Sequence, residues 1–160
     1  DTLKKIAEDS ARYPVFNIVE QLITAAKLSY EHRNGKYAPP RNRLDEYGTI
    51  RVRGARQCGH SAAVAKLWSH TFHEKAVIVT ANRAEKRWLC EKFVVPESSV
   101  LVASGKTSED LATGFRGRVL QAVVVDDASH MSGTVLEALL SDTVLARYEP
   151  DVIPFQIWLG

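Results

Sequence analysis

The spacing of apolar positions changes near residue 45, and the change divides the chain. Before it, "FNIVEQLITAAKLSY" places Phe16, Val19, Leu22, Ile23, Ala26 and Leu28 near a 3.6-residue period, which predicts an amphipathic helix. Pro14 separates that helix from a shorter one before it. "NGKYAPPRN", with Asn34-Gly35 and Pro39-Pro40 as breakers, predicts a loop. Beyond it, short apolar runs alternate with helical periods. "TIRVRG" reads as a strand ending in glycine, and "SAAVAKLWSHTF" as a helix with Val64, Leu67, Trp68 and Phe72 on one side. "KAVIVTA" is a second strand. "NRAEKRWLCEKF" is a helix with Asn82 as N-cap and Ala84, Trp88 and Phe93 aligned. "VLVAS" is a third strand and "TSEDLATGF" a short helix. "LQAVVVDDAS" holds the most apolar strand, "SGTVLEALLSDTVL" is helical, and "IPFQIWLG" is the last strand.

Strands alternating with helices predict an α/β fold, a mostly parallel sheet flanked by helices. An N-terminal helical segment and linker would occupy residues 1–45, and the α/β domain residues 46–160. In such folds, function collects beyond the carboxyl ends of the strands. The loops after "TIRVRG" and "AVVVDD" would both lie there.

Composition narrows the picture further. The 160 residues fit one domain, and 45% hydrophobic with 25% charged is an ordinary globular balance. No apolar run of membrane-spanning length occurs. Cys58 and Cys90 match neither a disulfide framework nor a zinc spacing, so a reducing, intracellular setting is expected. Asp1, in place of an initiating methionine, leads us to expect a piece of a longer protein. The net charge of +2 permits a nucleic-acid partner without requiring one. Arg41, Arg43, Arg51, Arg53 and Arg56 crowd one stretch, either as a solvated face or as a binding patch.

Two motifs carry candidate chemistry. "GARQCGHS" has the glycine spacing of a phosphate-binding loop: Gly54, then Ala55, Arg56, Gln57 and Cys58, then Gly59, His60 and Ser61. It follows one predicted strand and opens one predicted helix. Glycines let backbone N–H groups approach phosphate oxygens at the positive end of a helix. Such a loop normally carries a lysine where His60 stands. A histidine is shorter, and it holds its charge only part of the time near neutral pH. "ASGKTSED" supplies a Gly105-Lys106-Thr107 run, but Val100 occupies the place of its leading glycine, so it reads as a turn, or as a loop on the same rim that touches a ligand or nucleic acid. The second motif is Asp126-Asp127 at the end of "AVVV". One carboxylate there can hold Mg²⁺ and the next can orient or deprotonate water. Alternatively the pair stops a strand and caps a helix. His130 could reach Asp127 or a terminal phosphate.

In this order the motifs resemble the first RecA-like P-loop NTPase domain of helicases, translocases and phage terminase large subunits. "GARQCGHS" is similar to a Walker A loop with the lysine replaced, "VIVTANRAEKRWL" to the strand and helix after it, and "VVVDDAS" to Walker B. "IPFQIWLG" is similar to the strand leading to the third helicase motif, and the likeness covers roughly residues 46 to 160. It implies ATP and Mg²⁺ as ligands, with Gly54 to Ser61 around the phosphates and Ser61 and Asp126 managing the ion. Asp127 would stand in the place of the catalytic glutamate, and Arg56 and Gln57 would contact the nucleotide or a neighbouring element, Gln57 as a catalytic group. DNA or RNA would be the partner, in a viral or host setting of cytoplasm or nucleus. An arginine finger would come from a further domain or another subunit. With His60 in the lysine's place, the alternative is an inactive P-loop-like domain that binds nucleic acid or protein.

Overall fold

The structure, a computed structural model, describes residues 2–4, 13–53 and 59–160. Helix α1 (Pro14–His32) starts on a proline, whose fixed φ suits a first turn. It buries Val15, Phe16, Val19 and Ile23. Leu22 and Leu28 do not join that stripe and are 42% and 64% exposed. Leu28 falls on the opposite side of the helix, because Ala26 and Tyr30 already continue the packed side. The expected open loop is more ordered than its breakers suggest. It forms a 3₁₀ turn (Gly35–Tyr37), then α2 (Pro40–Arg43), again with proline in the first turn, then a π turn (Leu44–Gly48). Gly48 lies against the Pro154 carbonyl, where any side chain would collide.

Five strands follow: β1 (Thr49–Val52), β2 (Ala76–Thr80), β3 (Val100–Val102), β4 (Ala122–Asp126) and β5 (Phe155–Leu159). Between them lie α3 (His60–Lys66), which widens into a π turn over Leu67–Thr71, and α4 (Arg83–Phe93). Helices α5 (Ser108–Thr113), α6 (Gly133–Leu139) and α7 (Asp142–Leu145) complete the set. The expected single helix over "SGTVLEALLSDTVL" is two, because Ser141 ends the first and accepts the Val144 N–H to cap the second. The sheet order is β1-β5-β4-β2-β3, and every neighbouring pair is parallel.

Strand alternation splits the core in two. Ile78, Val124 and Ile157 face a layer built from α1, α3 and α4. Val77, Val79, Val123 and Val125 face Leu111, Phe115, Val135 and Leu139 from the α5–α7 side. All five residues of β4 are buried, as a strand covered on both faces requires. Each fully buried valine or leucine contributes about 1.5–3 kcal/mol. Helix α4 is turned from its expected orientation. Ala84 and Trp88 are exposed, and the buried side is Leu89, with Cys90 and Phe93 packed beside it.

The layering also fixes where a ligand would find a crevice. The chain leaves β1 and β2 through helices on one face, and returns from β3 and β4 through helices on the other. Neighbours β2 and β4 therefore send the chain to opposite faces, which opens a crevice at their carboxyl ends. Helix α1 packs into the first of these layers. Among the described residues, no helix is long and apolar enough to cross a membrane.

Candidate functional site

Three strand ends meet at this crevice and are stitched together by Gly160. Its N–H donates to the Val52 carbonyl at 3.0 Å, extending the β1–β5 ladder. Its carbonyl accepts the Ser129 N–H at 2.8 Å, which holds the loop after β4. Gly160 has φ +100°, and a Cβ there would lie 3.2 Å from the Asp127 Cα, so glycine suits both the conformation and the space.

Beside Gly160 is a cavity of about 290 Å³ lined by His60, Ser61, Glu85, Trp88, Asp126 and Asp127. His60 and Ser61 sit in the first turn of α3, after Gly59 at φ +79°. No side chain caps that end, and a Cβ on Gly59 would meet nothing within 4 Å. The first N–H groups of a helix have no acceptor within it, so an uncapped end offers donors to a ligand. Gly54, Ala55, Arg56, Gln57 and Cys58 lie outside the described residues.

Asp126 and Asp127 enter from the end of β4. Asp126 is buried, and its pKa is pushed up to about 6, first by burial, then by the charges of Glu85 and Asp127. An N–H bond from the Asp127 backbone opposes the rise. Asp127 takes a left-handed backbone (φ 56°), and its Oδ1 lies 2.7 Å from His130 Nδ1. That exposed pair orients the Asp127 carboxyl.

Glu85 comes from the first turn of α4. Its N–H donates to Asn82 Oδ1 at 2.9 Å, which fixes the start of the helix. Burial and then the Asp127 charge raise its pKa, against a bond from the Ala81 N–H. Glu85 Oε2 and His60 Nε2 are buried without a hydrogen-bond partner among the described residues. Three carboxylates thus crowd one cavity, and among the described residues His130 alone pairs with one of them, Asp127.

Such crowding is relieved either by protons or by a cation. Among the described residues there is no set of three or more His, Cys, Asp or Glu arranged to hold a metal unaided. Mg²⁺ does not need one, since it keeps several waters and takes one or two carboxylates plus ligand oxygens. The Ser61 hydroxyl and the Asp126 carboxylate are donors of that kind.

The structure brings Gly59, His60, Ser61, Asp126 and Asp127 to one sheet edge. It puts Lys106 elsewhere, in a separate cavity along β3. Arg43 leaves the expected arginine patch: it is buried, and its Nη1 donates to the Val152 carbonyl at 3.3 Å. Arg51 lies over the Trp158 ring at 5.0 Å. No protein-family model, curated protein or solved structure matches the chain. Glu85, Trp88 and Gly160 are site residues that sequence reasoning missed. Asn82 followed three residues later by Glu85 is a helix-start signature, and it places Glu85 at the same sheet edge once β2 is read as a strand.

Proposed function

We propose that this cavity takes a nucleoside triphosphate with Mg²⁺, and that the chain is a RecA-like, ATPase-type domain of a motor acting on DNA or RNA. The observation that supports it is that Ser61, in the first turn of α3, and the buried Asp126, at the end of β4, line the same cavity. The uncapped amino end of α3 would receive phosphate oxygens. Ser61 and Asp126 would hold the ion. Mg²⁺ bound there would neutralise phosphate charge. Asp127, held by His130, would orient a water and take its proton, with the neighbouring Glu85 as a second acceptor. An arginine finger would come from a further domain or another subunit.

One observation favours a second reading. His60 replaces a lysine that would stabilise charge in the transition state, and a lost contribution of that kind is usually large. A domain that binds nucleotide, nucleic acid or protein without turnover would keep the same cavity.

The test pairs titration of a fluorescent ATP analogue, with and without Mg²⁺, with phosphate release in the presence of single-stranded and duplex DNA or RNA. Mg²⁺-dependent binding that Asp126→Asn abolishes is the expected result. Release that also disappears in that variant selects the motor, and binding without release selects the second reading. His60→Lys should tighten binding about tenfold or more, by one charge-assisted hydrogen bond. No binding at millimolar nucleotide would end the proposal.

A further inference from the structure

Among the described residues, strand β3 is an edge, paired only with β2. The Ala103 N–H donates to the Thr80 carbonyl at 2.9 Å, and the Leu101 carbonyl lies 3.4 Å from the Thr80 hydroxyl. Leu101 and Ala103 therefore turn their backbone groups towards β2. By the alternation of a parallel ladder, Val102 turns its N–H and carbonyl outward and Val100 its carbonyl, while the Val100 N–H donates to the Glu97 carbonyl. That edge forms one wall of a cavity of about 430 Å³. Its opposite wall is one side of α4, where Arg83, Lys86 and Arg87 recur at helical spacing. Ser104 and Lys106 close one end, and Glu97 lines the cavity as its single acid. None of the four cations forms a salt bridge or a side-chain hydrogen bond among the described residues.

We propose that this groove binds an extended acidic peptide of another protein, which adds to β3 as a sixth strand beneath the basic side of α4. The Val100 carbonyl and the Val102 N–H and carbonyl complement a peptide backbone. Arg83, Lys86, Arg87 and Lys106 select carboxylate side chains on that strand. A nucleic-acid strand fits less well. The groove has no aromatic side chain on which a base could stack, and outward carbonyls would face phosphate oxygens. A second copy of this edge is disfavoured, because it would bring four more cations against the first four. The groove shares no lining residue with the cavity beside Gly160.

The probe is a short, fluorescently labelled peptide alternating glutamate with valine, followed by anisotropy at low salt. Binding is expected, with slowed amide exchange at Val102. Methylating alternate peptide nitrogens should weaken it at least tenfold, since this removes the pairing and leaves the charge intact. Lys86→Glu with Arg87→Glu should have a similar effect, with circular dichroism reporting the fold. Equal binding of the methylated peptide would overturn strand addition. So would a thymidine oligonucleotide of matched charge binding more tightly than the peptide, or no peptide binding at low salt.

Discussion

Asp126 can be converted to asparagine, and the outcome separates a functional carboxylate from a structural one. In the folded chain its pKa is about 6, against an ordinary 3.8. A pKa raised by folding means that the folded state binds the proton more tightly than the unfolded chain does. That contribution is fully present below about pH 3.8, and it is lost as the pH rises through about 6. A tenfold change in proton affinity is about 1.4 kcal/mol, so above pH 6 the ionised Asp126 destabilises the fold by on the order of 3 kcal/mol. Asparagine keeps an acceptor for the Asp127 N–H and carries no charge. Asp126→Asn should therefore be more stable than the parent at pH 8, by about 2–3 kcal/mol, or roughly 5–10 °C in Tm for a domain of this size. The difference should shrink towards zero near pH 4. Urea unfolding across that range measures it. Adding Mg²⁺ at pH 8 should narrow the gap, because an ion that binds only the folded parent stabilises it by mass action. A variant less stable than the parent at pH 8, or a difference that ignores pH, would refute the account of the carboxylate cluster.

Two further substitutions test the scaffold around the site. Gly48→Ala places a Cβ against the Pro154 carbonyl and should destabilise the chain by about 1–3 kcal/mol, read as a lower urea midpoint. Asn82→Ala removes the acceptor for the Glu85 N–H and should cost about 1 kcal/mol. If Glu85 acts at the cavity, Asn82→Ala should also weaken Mg²⁺-dependent nucleotide binding; unchanged binding with the expected loss of stability would leave Glu85 a purely structural residue.

The strands were legible because runs such as "AVVV" are buried on both faces, and no polar alternation blurs them. Ser61 and Asp126 could be placed at one edge from sequence because the first lies beyond the end of one strand and the second ends another in a parallel sheet. The orientation of α4 was not legible. Only Leu89 is fully buried there, and the exposed Trp88 is one position away, so the apolar signal points about 100° from the packed side. Arg43 reads as a surface charge, and only the approach of the Val152 carbonyl from a distant segment buries it. Strand order was equally hidden. It depends on which edges meet, and nothing in the "FQIWL" run says that it will sit between β1 and β4. Gly160 escaped notice for the same reason, since its partners Val52 and Ser129 are remote or belong to another strand end.

The position of β5 bears on how the chain is made. Thr49 pairs with Gln156, and among the described residues β1 has no other strand beside it. During synthesis, β2, β3 and β4 emerge before the strand that joins β1 to them. An intermediate lacking β5 would leave β1 without its strand partner, and pairings so distant in sequence form slowly. The cavity beside Asp126 would therefore be completed only when β5 docks, because Gly160 joins the ends of β1 and β4.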